Sequence, residues 1–299
     1  MQRNFICLIN PISGTKNKAA ALKIIENKLL LAGYKLQVIH TNKEGNYDLL
    51  KEKIINENIT DIIVCGGDGS VNQVASALLD MDINFGIIPM GSGNGLARTA
   101  GISSKAGKAM DIILLGKSQP IDAFYINNRF SCMLAGLGMD AQVAHDFAKQ
   151  SSRGLITYIT QTLRNYFSAK AFPFTISMEQ SSFQTHAFFI SIANSNQFGN
   201  NVTIAPQASL SDGMLDIVIV NKMNKIRLVY KLLKQLKFGK PISFRNVEDR
   251  KAEIIYFQSN HFSIKNPSNA ALHIDGEPVN TAREFEIKII EKAFRLLMP

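Results

Sequence analysis

Along the first third of the chain, short apolar runs alternate with longer stretches whose apolar residues recur every three or four positions. Phe5-Ile6-Cys7-Leu8-Ile9 is apolar throughout, as a strand buried on both faces would be. Asn17 to Leu31 then carries Ala20, Ile24, Ile25 and Leu29 at helical spacing, with Gly33 placed to end the helix. Tyr34 to His40 alternates as a second strand, Tyr47 to Glu57 reads as a second helix, and Ile62-Ile63-Val64-Cys65 is a third strand. Val71, Val74, Ala75, Leu78 and Leu79 return to helical spacing, Gly86-Ile87-Ile88 forms a fourth strand, and Ala106 to Leu115 a further helix. Strand and helix in regular alternation predict an α/β domain with a doubly wound parallel sheet.

From Gln119 the texture changes. Short strand-like runs separated by turns take over: Ile121 to Ile126, Arg129 to Leu134, Phe174 to Met178, Thr185 to Ala193, Leu215 to Val220 and Ala252 to Phe257. They predict a β-rich second domain of the antiparallel sandwich type. The expected boundaries are 1–120 for the first domain and 121–283 for the second, with 284–299, alternating at Phe285, Ile287 and Ile289, returning to the first.

Composition narrows the class. With 299 residues, 46% hydrophobic and 19% charged, the chain has material for two packed cores, and no apolar run approaches the ~18 residues of a membrane span. Its start lacks a signal-peptide layout. Cys7, Cys65 and Cys132 lie in apolar runs, which points to buried thiols in a reducing cytoplasm. The net charge of +9 suits a polyanion or an anionic membrane surface. With no tryptophan, no nucleic-acid motif and no basic-aromatic stripe, nucleic acid is not the expected partner.

Two glycine-rich turns carry the candidate chemistry. Gly66-Gly67-Asp68-Gly69-Ser70-Val71-Asn72 joins the third strand to a helix, and Gly91-Ser92-Gly93-Asn94 follows the fourth. A helix start offers backbone N–H groups and partial positive charge, and glycines let the backbone approach a ligand, so each turn is suited to phosphate. Asp68 would repel phosphate unless a cation such as Mg²⁺ intervenes; a tight turn with a solvated acid is the alternative. Two such turns on adjacent strands fit the ligand-binding edge of an open α/β sheet.

Other stretches leave alternatives open. Asn10-Pro11-Ile12-Ser13-Gly14 is a turn after the first strand, either plain or a nucleotide-phosphate loop. Thr41 ends the second strand and is a nucleotide contact or a local hydroxyl. Gly136-Leu137-Gly138-Met139-Asp140-Ala141 fits a dinucleotide fingerprint only superficially, because no βαβ unit with a suitably spaced acid follows. The turn around Ser209, Asp212 and Met214 offers hard-cation ligands or is an ordinary β-turn. Lys222 to Lys240 holds basic residues at 222, 225, 227, 231, 234, 237 and 240 and no acid, with Ile226, Val229, Tyr230, Leu233 and Leu236 at helical spacing. This is a basic amphipathic helix that reads an anionic membrane or packs on the domain. In His273-Ile274-Asp275-Gly276-Glu277-Pro278, two carboxylates stand two residues apart, suited to proton acceptance and Mg²⁺–water organisation or simply to an Asp-Gly turn.

Taken together, Gly66-Gly67-Asp68-Gly69-Ser70 with Asn72, Pro89-Met90-Gly91-Ser92-Gly93-Asn94 and Asp275-Gly276-Glu277-Pro278 resemble the lipid kinase family of bacterial diacylglycerol kinases, related to sphingosine kinases and more widely to NAD kinases. The resemblance implies ATP as phosphate donor, Mg²⁺ as cofactor and an active site in an interdomain cleft. It implies an ATP site at Asn10, Pro11, Ile12, Ser13, Gly14, Thr41, Gly66, Gly67, Asp68, Gly69, Ser70, Val71, Asn72, Gly91, Ser92, Gly93 and Asn94. It further implies Glu277 as proton acceptor with Asp275 and Asp68 in the metal network, and a structural Mg²⁺ on the Ser209 and Met214 carbonyls and the Asp212 carboxylate. Arg153-Gly154 and a helix from Leu155 to Phe167 resemble an inserted family helix near the lipid. The implied partner is a lipid at an anionic membrane surface, met from the cytoplasmic side; a homodimer is compatible.

One position departs from the family pattern. Bacterial diacylglycerol kinases usually carry Asn-Asp after the second loop, and this chain has Asn94-Gly95. Sphingosine kinases also have a small residue there, so a sphingoid base is the alternative substrate. A catalytically silent lipid-binding protein, an NAD kinase and, more remotely, a phosphofructokinase-like sugar kinase are the other readings.

Overall fold

The computed structural model describes residues 3–11, 18–42, 44–148, 169–179, 181–197, 205–224 and 252–299. The chain divides into two units, Met1–Asp122 with Glu291–Pro299, and Ala123–Ile290.

In the first unit, β1 (Phe5–Ile9), β2 (Leu36–His40), β3 (Asp61–Gly66) and β4 (Asn84–Pro89) are parallel in the order β2-β1-β3-β4. Every residue of β1 and β3 is buried, which explains their unbroken apolar runs. The chain builds β2 on one side of β1 and β3 on the other, so the topological switch point lies between β1 and β3. That is where open α/β sheets bind ligands. The helices are α1 (Lys18–Leu31), α2 (Asp48–Asn56), α3 (Asp68–Ala77), α4 (Gly95–Thr99) and α5 (Ala106–Leu115).

The buried face of α1 differs from expectation. Ala21, Ile25 and Leu29 are buried, while Ala20 is exposed and Ile24 is 39% exposed. The helix packs through one narrow i, i+4 row. Gly86 admits α5 onto β4: a Cβ there would lie 2.7 Å from Ile113 Cδ1. At the amino end of the sheet, the buried Asp61 receives Arg3 through two bonds, Nε to Oδ2 at 3.0 Å and Nη2 to Oδ1 at 2.6 Å.

β5 (Ser118–Ile126) carries the chain into the second unit and β15 (Glu284–Leu297) brings it back. The end of β15 runs parallel to β4, with Arg295 opposite Asn84 and Leu296 opposite Phe85.

The second unit is β-rich. It contains β6 (Arg129–Ser131), β7 (Leu134–Gly138), α6 (Met139–Ala148), β8 (Phe172–Met178), β9 (Ser181–Ala193), β10 (Leu215–Asn221), β11 (Ile254–Ser259), β12 (His261–Lys265), β13 (Leu272–Ile274) and β14 (Glu277–Val279). Its strand pairs are antiparallel. The long β9 pairs with β8 along its first half and with β7 and β10 along its second. Phe124, Leu137, Phe174, Ile190, Ile217, Phe262 and Phe285 are among the side chains that fill the core.

Two features correct the sequence reading. The single strand expected from Arg129 to Leu134 is broken at Cys132-Met133, whose N–H groups both turn to the Asp275 carboxylate. The helix α6 stands where no helix was expected.

Candidate functional site

Chemistry-bearing residues gather in two clusters, one in each unit. The first is at the carboxyl ends of β1, β3 and β4. β3 ends at Gly66, Gly67 is the N-cap of α3 and as a glycine supplies no side-chain cap, and the first turn of that helix carries Asp68. The second loop lies directly against the first. A Cβ on Gly91 would stand 2.6 Å from Gly67 Cα, and one on Gly93 would stand 3.1 Å from Asp68 Oδ2. Glycine is required at this meeting because two backbones occupy the space a side chain would need.

Asn94 shapes the second loop. It is left-handed, with φ of 53°, and its side chain closes a reciprocal pair: Oδ1 accepts from Gly91 N–H at 2.9 Å, and Nδ2 donates to the Gly91 carbonyl at 2.7 Å. Arg98 Nε donates to the Gly93 carbonyl at 3.0 Å. Across the switch point, Asn10 Nδ2 donates to Ser70 Oγ at 2.8 Å, tying the end of β1 to the first turn of α3. Thr41 extends the β1–β2 ladder by donating its N–H to the Ile9 carbonyl at 3.0 Å. Asn10, Pro11, Thr41, Gly66 to Asn72 and Gly91 to Asn94 are thus on one edge of one sheet, with Val71 buried beneath the turn and Ser92 exposed at its loop tip. Ile12, Ser13 and Gly14 lie outside the described residues.

Just before the first loop, Cys7 and Cys65 place their sulfurs 3.3 Å apart. Contact with Cys7, then burial, holds the Cys65 thiol well above its ordinary range, so it is not a poised nucleophile.

The second cluster is built on the β13–β14 hairpin. Ile274 pairs with Glu277, and the two residues between them have positive φ, 48° at Asp275 and 82° at Gly276. That is the signature of a type I′ turn, which Asp-Gly favours. Asp275 turns inward and is buried. Its Oδ1 accepts from Ser131 Oγ at 2.6 Å, Met133 N–H at 3.2 Å and Leu134 N–H at 2.9 Å, and its Oδ2 accepts from Cys132 N–H at 3.2 Å. A carboxylate held by consecutive N–H groups is a fixed anion in a backbone nest, suited to positioning. Glu277 stands exposed at the start of β14.

Sequence reasoning missed two residues beside this turn. His273 and Asp140 are buried and bonded, Nε2 to Oδ2 at 3.0 Å. The signal is the Gly136–Ala141 stretch, whose glycines fit a dinucleotide fingerprint only superficially. A Cβ on Gly136 would collide with both Asp140 Oδ2 and His273 Nε2, and one on Gly138, at φ 87°, would lie 2.5 Å from the Phe188 carbonyl oxygen.

On the turn before β10, Asp212 Oδ1 accepts from Met214 N–H at 3.1 Å, and Ser209 Oγ accepts from Ser211 N–H at 3.4 Å. Two residues on, the buried Asp216 has its carboxyl pushed up to about 7, by burial first and by the nearby Asp212 charge, against a lowering contact from Gln258. Among the described residues no group of three or more His, Cys, Asp or Glu forms a metal cage, and no helix is long and apolar enough to cross a membrane. The expected helix from Leu155 to Phe167 lies outside the described residues. So does the expected basic helix from residue 225 onward.

Comparison with known proteins covers both units. Residues 4–126 match the diacylglycerol kinase catalytic domain, and residues 134–298 match the YegS C-terminal NAD kinase beta sandwich-like domain. Diacylglycerol kinases of Staphylococcus aureus strains bovine RF122 / ET3-1 and MRSA252 are each 27% identical over 281 residues, covering 93% of this chain and 87% of theirs. A crystal structure of a diacylglycerol kinase from Bacillus anthracis str. Sterne has the same fold, with a TM-score of 0.74 at 18% identity over 99% of this chain and 97% of that one. Two further structures from that organism give TM-scores of 0.79 and 0.78 at 20% and 21% identity, over 99% of this chain and 98% and 97% of theirs. With both units matched, and the second match alone taking in more than half of its length, the chain belongs to the diacylglycerol kinase catalytic-domain family.

Proposed function

We propose that the protein is an ATP-dependent lipid kinase that phosphorylates a hydroxyl of diacylglycerol or a related lipid, with Mg²⁺ as cofactor. The observation that carries this reading is the contact of Gly67 with Gly91 at the switch-point edge, with Asp68 against Gly93. Two bare backbone loops and one carboxylate suit a magnesium–polyphosphate. Mg²⁺ commonly takes one or two protein carboxylates and completes its shell with phosphate oxygens and water, so the lack of a protein cage is no obstacle. Asp68 is the residue that would hold it, and when bound it neutralises phosphate charge.

The chain's own residues then divide the work. Gly66 to Asn72 and Gly91 to Asn94 would bind the ATP phosphates through backbone N–H groups. Glu277 would accept the proton of the lipid hydroxyl while its oxygen bonds to the γ-phosphorus and the bond to the bridging oxygen of ADP breaks. Asp275 would hold the turn that presents Glu277. A lipid acceptor calls for work at a membrane surface, for which the Lys222–Lys240 stretch is the candidate reader.

Gly95 favours a second reading. It is buried at the start of α4, where the family pattern has an acid, and this leaves a sphingoid base as alternative acceptor. The test is transfer of labelled phosphate from ATP, with Mg²⁺, to detergent-dispersed diacylglycerol, monoacylglycerol, phosphatidylglycerol, a sphingoid base and ceramide, with NAD as control. Label in one lipid, lost in Asp68→Ala, supports the kinase and names its substrate. Label in NAD alone, or in nothing, overturns it in favour of an NAD kinase or a silent lipid-binding protein.

A further inference from the structure

We infer that Asp140 and His273 are a positioning pair that sets the Asp275–Gly276 turn and so aims Glu277. The role given to Glu277 rests on the lipid kinase reading; the pair and its geometry do not.

The chain of contacts starts in the first turn of α6. Asp140, 7% exposed, meets His273 Nε2, and His273 is 2% exposed. The other ring nitrogen, Nδ1, accepts from the Gly276 N–H at 3.3 Å. With Nδ1 accepting, the ring hydrogen is on Nε2, facing the carboxylate. The orientation of the imidazole is therefore fixed from one side by Asp140 and read on the other by the turn. A second tie from the same helix, His145 Nε2 to the Leu272 carbonyl at 3.0 Å, holds the strand that carries His273.

Both central residues of the turn are thus gripped, Asp275 from outside the hairpin and Gly276 by a side chain of the hairpin's own first strand. Asp275 is held by the Ser131–Leu134 donors and Gly276 by His273, and Glu277 is the next residue. Strand alternation explains why a histidine is needed. Leu272 and Ile274 point into the core, so 273 faces α6. An apolar ring there would fill the space but leave the Gly276 N–H without this acceptor. Gly136 completes the arrangement, since any side chain at that position would displace the pair.

The test compares His273→Phe, which keeps the ring volume, with His273→Asn, whose Oδ1 can replace Nδ1 as acceptor for Gly276. The readouts are lipid phosphorylation kinetics, ATP affinity and amide exchange of residues 275–277. His273→Phe should lower kcat about ten- to a hundredfold, as a small misplacement does, and leave ATP affinity within about twofold. Exchange at Gly276 should rise in the same variant. His273→Asn should recover most of both. Asp140→Asn should also lower kcat, because its amide can favour the other ring tautomer, and should add little in the His273→Asn background. Wild-type kcat and exchange in His273→Phe would overturn the pair, as would a His273→Asn no better than His273→Phe. A parallel fall of ATP affinity and melting temperature would also overturn it, in favour of a purely structural role. If His273→Phe does not fold, Asp140→Asn alone and in the His273→Asn background decides on the same criteria. If the wild type phosphorylates no lipid, the kinase reading fails, and the exchange measurements alone decide the pair.

Discussion

Gly67 and Gly91 belong to different loops, yet a Cβ added to Gly91 would lie 2.6 Å from Gly67 Cα. The phosphate site proposed here depends on that approach. Gly91→Ala must push the loops apart, at a cost of about 1–3 kcal/mol from overpacking. We expect ATP affinity measured by calorimetry to fall by at least about tenfold, with a lower melting temperature. Gly107→Ala is the control. It lies in α5 with nothing nearer than 3.8 Å to the new Cβ, and it should leave ATP binding unchanged.

Asp275 and Glu277 should fail in different ways. Asp275→Asn puts an amide where a carboxylate receives three backbone N–H groups and the Ser131 hydroxyl, so it should destabilise the protein by about 2–4 kcal/mol in denaturant titration. Glu277 is exposed, so Glu277→Gln should leave stability unchanged while turnover falls by about two to four orders of magnitude, the range for loss of a general base. Equal loss of stability in both would contradict the division of roles.

Asp216 sets a pH dependence. An unfolded Asp titrates near about 3.9, whereas in the fold its carboxyl is pushed up to about 7. Between these values the native state keeps a proton that the unfolded chain has released. The contribution of Asp216 to stability is therefore fullest below the unfolded value and is lost as pH rises to about 7, by up to about 4 kcal/mol. Urea melts from pH 4 to 8 should show the slope, and Asp216→Asn should flatten it. A cation on Ser209, Asp212 and Met214 would oppose the Asp212 charge, so added Mg²⁺ should shrink the slope if that site binds metal.

Arg3 and Asp61 anchor the opposite end of the parallel sheet. Arg3→Ala strands a buried carboxylate whose remaining side-chain donors among the described residues are Thr60 Oγ1 and Asn84 Nδ2, and should cost about 3–5 kcal/mol by chemical denaturation. Arg3→Lys should not restore it, since one ammonium cannot reproduce the two-bond fork.

The parts of the fold that could be read from the sequence are those with local causes. β1 and β3 are apolar because both their faces are covered, and the glycine loops stand out because backbone approach demands them. What escaped has distant causes. Cys132 and Met133 look like strand residues, and only the Asp275 carboxylate, 143 and 142 positions away, draws their N–H groups out of the ladder. The helix α6 escaped although Met139 and Val143 stand at helical spacing, because its first residues belong to the glycine-rich Gly136–Ala141 stretch, whose glycines draw the reading toward a turn. Asp140 and His273 escaped for the same reason as the broken strand: their meaning is a contact 133 positions apart.

The pairing of β15 with β4 has a consequence for synthesis. Asn84 and Phe85 emerge early from the ribosome, but Arg295 and Leu296 arrive only after the whole second unit has been translated. The first unit must wait with an open strand edge beside β4, a surface that invites wrong pairing until its own strand arrives. During translation, then, the half that would bind nucleotide is finished last, although its loops are made first.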